Sequence, residues 1–185
     1  PVYAMAIRDD SKEAGSLSFS NSTVMVDGST IDANTISITN GSALTFVKQD
    51  HSKLGAFLEG VIDSDGNTTL TADTITVNAS QFNVNSGATL NITTTDTETG
   101  TTFSNLSTDQ GALSVIDGSA HIGGDTLVFN NNTSSSHGAG LYYKETTTGL
   151  DSSVVLDAEN ITFSNNTSNY SASSGGAVFN SGGDV

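Results

Sequence analysis

The chain has 185 residues, no cysteine, and a formal net charge of −15 from 20 acidic and 5 basic side chains. Such an acidic surface repels nucleic acid and anionic membranes, and the absence of cysteine excludes disulfides and thiol chemistry. Only 35% of residues are hydrophobic, and no apolar run approaches the roughly 18–20 residues of a membrane span, so we expect no direct membrane insertion.

Residues 1–15 contain the only arginine, Arg8, within a cluster of charged residues. We interpret this segment as a leader or as an N-terminal cap. A repeat structure built from strands exposes unpaired strand edges at its ends, and these edges must be covered. An uncovered edge favours pairing with another chain, so self-association is among the expected interactions.

From residue 16 onward an apolar anchor residue recurs, followed by an Asn one or two positions later. Most copies also have an apolar residue two positions before the anchor. The anchors are Phe19, Ile38, Val77, Phe103, Phe129 and Phe163, with spacings of 19, 39, 26, 26 and 34 residues. These spacings are typical of one coil of a parallel β-solenoid. The spacing of 39 fits either one coil with an insertion or two coils of which one is unrecognised.

Two further patterns accompany the anchors. After each bend, a Gly or small residue precedes a second alternating apolar run, at 41–46, 87–92, 111–115, 138–143 and 175–179. Before the anchors, a short apolar approach recurs at 31–33, 70–72, 122–124 and 156–158. Three correlated patterns in one order predict an all-β parallel solenoid over residues 16–185.

Stacking the coils predicts two columns of side chains. The anchors would form one column inside the molecule, at the strand spacing of about 4.7–4.9 Å. The second column would lie at the bend, where Asn tolerates a left-handed backbone and its amide bonds to neighbouring coils. Its predicted members are Asn21, Asn40, Asn105, Asn131 and Asn165.

Two segments interrupt the repeat, near residues 47–67 and 144–153. The first includes residues 50–62, whose apolar spacing predicts a short amphipathic helix or an inserted loop. Insertions in solenoids form loops, often on the binding face. Lys48, Lys53 and Lys144 lie in these insertions.

The motifs Phe163-Ser-Asn-Asn166 and Phe129-Asn-Asn-Asn132, together with Gly-Gly-Ala-Val at 175–178, resemble a known family. They are similar to the FxxN and GGA[ILV] repeats of chlamydial polymorphic membrane proteins and related bacterial autotransporter passengers. The resemblance is strongest over 121–185. It implies a right-handed parallel β-helix, exported through the outer membrane and displayed on the cell surface as an adhesin. Residues 16–185 would then be a fragment of a longer passenger, anchored by a translocator outside this sequence.

Each candidate site in the sequence also has a simpler explanation. Asp32, Asp73, Asp125 and Glu159 occupy nearly equivalent positions, which predicts an outward acidic column, solvated or holding a cation. Asp63-Ser-Asp65-Gly-Asn67 resembles a calcium loop but lacks EF-hand spacing, so a plain turn is favoured. His51, His121 and His137 show no metal-binding or catalytic spacing. We therefore assign no catalytic, cofactor-binding or metal-binding residue.

Two functions remain open. The first is a non-catalytic, surface-displayed adhesin whose insertions contact a protein or glycan on a host cell or neighbouring cell. The second is a carbohydrate-active β-helix, either a polysaccharide lyase or a glycoside hydrolase, using the acidic column. Hydrolysis would require two carboxylates about 5–9.5 Å apart.

Overall fold

The computed structural model describes residues 15–50, 63, 65–171 and 175–182. Within these residues all regular elements are β-strands, arranged in three sheets. The nine-stranded sheet contains β1 (Ser16–Ser20), β3 (Thr30–Asp32), β4 (Thr35–Thr39), β6 (Asn67–Ala72), β7 (Thr74–Asn78), β9 (Thr89–Thr94), β10 (Thr101–Ser104), β13 (Ser119–Asn130) and β16 (Val154–Ser164). The six-stranded sheet contains β2 (Thr23–Asp27), β5 (Ala43–Val47), β8 (Gln81–Val84), β12 (Leu113–Ile116), β15 (Leu141–Lys144) and β18 (Val178–Ser181). The three-stranded sheet contains β11 (Ser107–Thr108), β14 (Thr133–Ser134) and β17 (Thr167–Ser168).

Every pairing between these strands is parallel. Parallel neighbours need a crossover between them, and here the intervening strands of the same coil supply it. The chain passes through β1, β2 and β3, and then places β4 against β1. The expected all-β class is confirmed, and the curled parallel sheets are compatible with a solenoid.

The anchor residues form one continuous column. Each is the register partner of the next, in the order Phe19, Ile38, Val77, Phe103, Phe129 and Phe163. The predicted column is therefore confirmed. Because Ile38 pairs directly with Val77, the spacing of 39 residues is one coil with an insertion.

Phenylalanine rings dominate the core at the later coils. The Phe103 and Phe129 ring centroids lie 4.9 Å apart, and those of Phe129 and Phe163 lie 4.7 Å apart, with rings parallel to within 6° and 3°. Burying one such side chain contributes about 1.5–3 kcal/mol, and a ring pair adds about 0.5–1.5 kcal/mol. Phe163 is only partly buried, because no described strand covers the far side of β16.

The bends carry the predicted asparagines in the predicted backbone conformation. The φ angles are +52° at Asn21, +56° at Asn40, +57° at Asn105, +56° at Asn131 and +53° at Asn165. Ala79, with φ of +51°, takes this place in the third coil. Asn131 Nδ2 donates to Asn105 Oδ1 at 2.7 Å, and Asn105 Nδ2 donates to Asn78 Oδ1 at 3.1 Å. The left-handed backbone is thus confirmed at all five predicted asparagines, and an amide bond between two of them is confirmed for Asn131 and Asn105.

The second Asn of Phe-x-x-Asn has a separate role inside the bend. Asn132 is fully buried, and its Nδ2 donates to the Phe103 carbonyl at 3.1 Å and to Asn166 Oδ1 at 2.9 Å. Its Oδ1 accepts from the Leu106 backbone N–H at 3.1 Å. Asn166 repeats the pattern by donating to the Phe129 carbonyl at 2.8 Å. The motif thus satisfies backbone groups that parallel strands leave unpaired where the chain turns.

One expected assignment is wrong. The sequence predicts that the apolar run at 87–92 follows the bend. Instead β9, which contains Leu90 and Ile92, pairs with β6 and β13. The strand after the third bend is β8, which pairs with β5 and β12. It begins at Gln81 without a preceding glycine, and Gly87, with φ of +74°, turns the following corner.

Two further expectations fall mainly on residues that are not described. The predicted leader or cap at 1–15 lies outside the described residues except for Gly15, whose carbonyl accepts a hydrogen bond from the Asn34 backbone N–H at 2.9 Å. The segment 50–62, predicted as a short amphipathic helix or an inserted loop, lies outside them except for Asp50. None of the described residues belongs to a helix with the length and apolar character that a membrane crossing requires.

Candidate functional site

The four acidic residues expected in one outward column share a register only in part. Asp32 lies opposite Thr71 rather than Asp73, so its inclusion was wrong. Asp125 and Glu159 do face each other across the β13–β16 pair, because the residue pairs on both sides of them are in register. Asp32 follows Ile31, the first apolar residue of its approach, by one position, whereas the other three follow the equivalent Leu70, Ile122 and Leu156 by three.

The acidic side chains do not assemble a cation site. Thr95 occupies the coil between Asp73 and Asp125, and its hydroxyl donates to Asp73 Oδ1 at 2.7 Å. Across residues 15–50, 63, 65–171 and 175–182, no three His, Asp or Glu side chains converge to hold a metal ion. Asp32, Asp73 and Glu159 are exposed and Asp125 is partly buried; exposure to solvent is the lower-energy choice for carboxylates at strand spacing.

The Asp63–Asn67 segment uses its polar atoms to hold a turn. Asp63 Oδ1 accepts from the Asp65 backbone N–H at 2.7 Å, and Asp63 Oδ2 accepts from Asn67 Nδ2 at 3.0 Å. Gly66 has φ of +74°. Both Asp63 oxygens therefore bond within the turn, and this geometry favours the turn interpretation over a calcium loop.

The histidines are separated. His121 lies on β13, and its Nε2 is 3.7 Å from Asp157 Oδ2 in an exposed pair. His137 lies between β14 and β15, against aromatic rings. His51 lies outside the described residues. The structure does not bring His121 and His137 together.

A carboxylate with several hydrogen bonds lies where the sequence predicts the second insertion. Asp117, at the corner after β12, is 7% exposed and has φ of +55°. Its Oδ1 accepts from the backbone N–H groups of Thr146 at 2.6 Å and Thr147 at 3.0 Å. Its Oδ2 accepts from both threonine hydroxyls, including a short contact with Thr146. One carboxylate thus fixes the start of the segment 145–152, which connects β15 to β16.

These hydrogen bonds change the acidity of Asp117. The Thr146 hydroxyl and backbone donors, assisted by Thr147, lower the pKa of Asp117 from 3.8 to about 2, against an opposing effect of burial. Donors that bond the ionised form stabilise it relative to the protonated form. The Asp117 carboxylate is therefore charged at neutral pH. We call Asp117 together with its hydrogen bonds to Thr146 and Thr147 the clamp.

A small pocket lies under the same segment. Its volume is about 100 Å³, and its lining includes Ala88, Asp117, Ser119 and Leu150. Binding sites for small organic ligands usually span about 300–1,000 Å³. This pocket is therefore too small for a sugar ring in a catalytic site, and it suits ordered water.

A cluster of aromatic side chains lies on the outer face of the six-stranded sheet. We call His137, Tyr142, Tyr170 and Phe179 the aromatic patch. Phe179 stacks on Tyr142 with centroids 5.1 Å apart and on His137 with centroids 4.5 Å apart. Tyr170 meets His137 edge-on at 5.1 Å and is 47% exposed.

Sequence reasoning missed both Asp117 and the aromatic patch. The partners of Asp117 lie 29 and 30 residues away in the chain, so no local sequence spacing predicts the contact. A signal for the patch did exist, since Tyr142 and Phe179 hold equivalent places one coil apart. Tyr142 and Phe179 lie within apolar runs, so the sequence pattern does not distinguish them from core residues.

The described residues define an all-β protein whose parallel strands form curled sheets around an apolar core, an architecture compatible with a solenoid. Comparison with known proteins finds no matching family model, no matching curated protein and no matching solved structure.

Proposed function

We propose that the chain is a non-catalytic interaction domain, an adhesin-like passenger displayed at the bacterial cell surface on a right-handed parallel β-helix. The observation that carries the proposal is the structural use of the motif Phe-x-x-Asn. Phe129 and Phe163 stack in the core, while Asn132 and Asn166 satisfy the bend. The residues that define the resemblance to autotransporter passengers are thus the residues that build the stack.

The surface supports the same proposal. A rigid scaffold that presents an ordered segment loses little conformational entropy when it binds a partner. The segment 145–152 is held in this way by Asp117. The partner would be a protein or glycan on a host cell or neighbouring cell, and the outer membrane would be reached through a translocator.

Adhesion of coated beads tests the proposal. We expect beads carrying the purified chain to bind cultured epithelial cells several-fold better than beads carrying the Phe129→Asp variant. Phe129 is fully buried between two other rings, so a charge there destroys the stack while the sequence differs at one position only.

Two results would contradict the proposal. One is equal adhesion of the two bead preparations. The other is release of sugar from polygalacturonate or neutral polysaccharides by the purified chain, which would instead favour the carbohydrate-active alternative. Phe129→Asp serves as the blank for that assay as well.

A further inference from the structure

The outward-facing aromatic residues are not scattered. Seven described aromatic residues belong to the core or pack against it: Phe19, Phe46, Phe82, Phe103, Phe129, Tyr143 and Phe163. The other three, Tyr142, Tyr170 and Phe179, all belong to the aromatic patch. Aromatic side chains are enriched at the centres of protein interfaces, where they supply much of the binding energy.

The patch presents its rings in a fixed arrangement. Phe179 is held by two stacking neighbours, and Tyr142 beneath it is only 5% exposed. Tyr170 is 47% exposed and is positioned by its edge contact with His137. Rings that are already ordered lose little freedom when a partner covers them. The partly exposed surface of Phe179 and Tyr170 is the part available to a partner.

Charge decides what kind of partner fits. The chain carries a net charge of −15, which repels an acidic partner and attracts a basic one. Asp109 lies near the patch, because Ser134 Oγ bonds to both the Asp109 carbonyl at 2.9 Å and the His137 carbonyl at 3.3 Å. The formal charges of Lys144 and Glu145, at the end of β15, cancel each other.

From these observations we propose that the aromatic patch is the docking site for a basic segment of a partner protein. In this complex an arginine or lysine side chain lies against the rings of Phe179 and Tyr170, and the negative net charge of the chain attracts the segment. A cation over an aromatic ring is attracted by the negative charge of the ring face. The proposal deepens the proposed function and rests on it, because it names the partner class of that surface.

The probe is a synthetic peptide of alternating arginine and glycine, compared with the same peptide in which citrulline replaces arginine. Citrulline keeps the shape and removes the charge. We expect the arginine peptide to bind and the citrulline peptide to bind far less. Tyr170→Ala and Phe179→Ala should each weaken binding about two- to thirtyfold. Phe179→Tyr, which keeps the ring, should bind as the parent does.

Val155→Ala is the matched control, since Val155 is 47% exposed, as Tyr170 is, and lies on another sheet. We expect it to leave peptide affinity unchanged. Amide chemical shifts of the parent chain provide a measurement that needs no variant, and the peptide should shift residues near 134–142, 168–171 and 175–180.

Several results would overturn the inference. They are equal weakening by Val155→Ala, shifts spread over the whole acidic surface, and equal binding of the citrulline peptide. Stronger binding of a neutral glycan than of the arginine peptide would also overturn it. If beads still adhere to cells when Tyr170→Ala and Phe179→Ala are combined, this inference fails and the proposed function stands. If the peptide binds but parent beads do not adhere, the proposed function fails.

Discussion

At the scale of single residues, one buried hydroxyl group stands out. Thr101 occupies the inner column beside Ile75 and Leu127 and is fully buried, yet its Oγ1 has no hydrogen-bond partner. A buried polar group without a partner costs about 1–3 kcal/mol. Thr101 therefore lowers the stability of an otherwise apolar stack.

Thr101→Val should raise the free energy of unfolding by about 1 kcal/mol, because it removes the unpaired hydroxyl and keeps the shape. Urea unfolding followed by circular dichroism measures the change. Thr102→Val is the control, since its hydroxyl is exposed and makes only a long contact of 3.4 Å with the Thr99 carbonyl; we expect a change within about 0.5 kcal/mol. A loss of stability in Thr101→Val would contradict the account.

The left-handed bend residues give a second prediction at this scale. Asn131 has φ of +56° and is exposed. Asn131→Val should destabilise the chain by about 1–2 kcal/mol more than Asn131→Gly, because a branched side chain resists this conformation and glycine does not. Both variants lose the same amide bond to Asn105, so their difference isolates the backbone. Equal urea midpoints for the two variants would show that the bend does not demand a left-handed residue.

At the scale of elements, the segment 145–152 depends on one carboxylate. The folded pKa of Asp117, about 2, lies below its ordinary value of 3.8. The clamp therefore contributes stability above the unfolded pKa, and this contribution is lost as the pH falls through the folded pKa. The clamp should be fully present at pH 7 and should weaken between pH 4 and pH 2.

Asp117→Asn tests this dependence, because asparagine also accepts a positive φ. We expect the thermal midpoint of the parent chain to exceed that of the variant at pH 7, with the gap closing as the pH falls to about 2. A gap that stays constant from pH 7 to pH 2 would rule out the charged clamp.

The elements also show how much of the fold can be predicted from the sequence. The anchor column and the left-handed asparagines were predicted correctly, because a repeated register forces equivalent residues into equivalent places. The strand after the third bend was misplaced, since Gly87 resembles the bend glycines in sequence and differs only in its partners. The contacts of Asp117 join residues 29 and 30 positions apart, and no local pattern specifies them. The patch has a sequence signal in the equivalent places of Tyr142 and Phe179, but these residues also fit the apolar runs.

At the scale of the whole molecule, the central claim is that the chain winds into coils stacked in register. Its most demanding point is the pairing of β4 with β7 across the first insertion. Ser37 lies opposite Thr76, although 39 residues separate them in the sequence. The chain has no cysteine, so a designed disulfide reports on this register without interference.

The direct measurement is mild oxidation of the variant Ser37→Cys/Thr76→Cys, with Ser37→Cys/Asn78→Cys as the control shifted by two residues. Register neighbours on adjacent strands lie within the Cα separation of about 4.4–6.8 Å that a disulfide needs, whereas the shifted pair does not. We expect the first variant to form an intramolecular disulfide in the folded state and the control to remain reduced. Cross-linking of the control in preference to the in-register pair, or of neither variant, would contradict the stacked architecture.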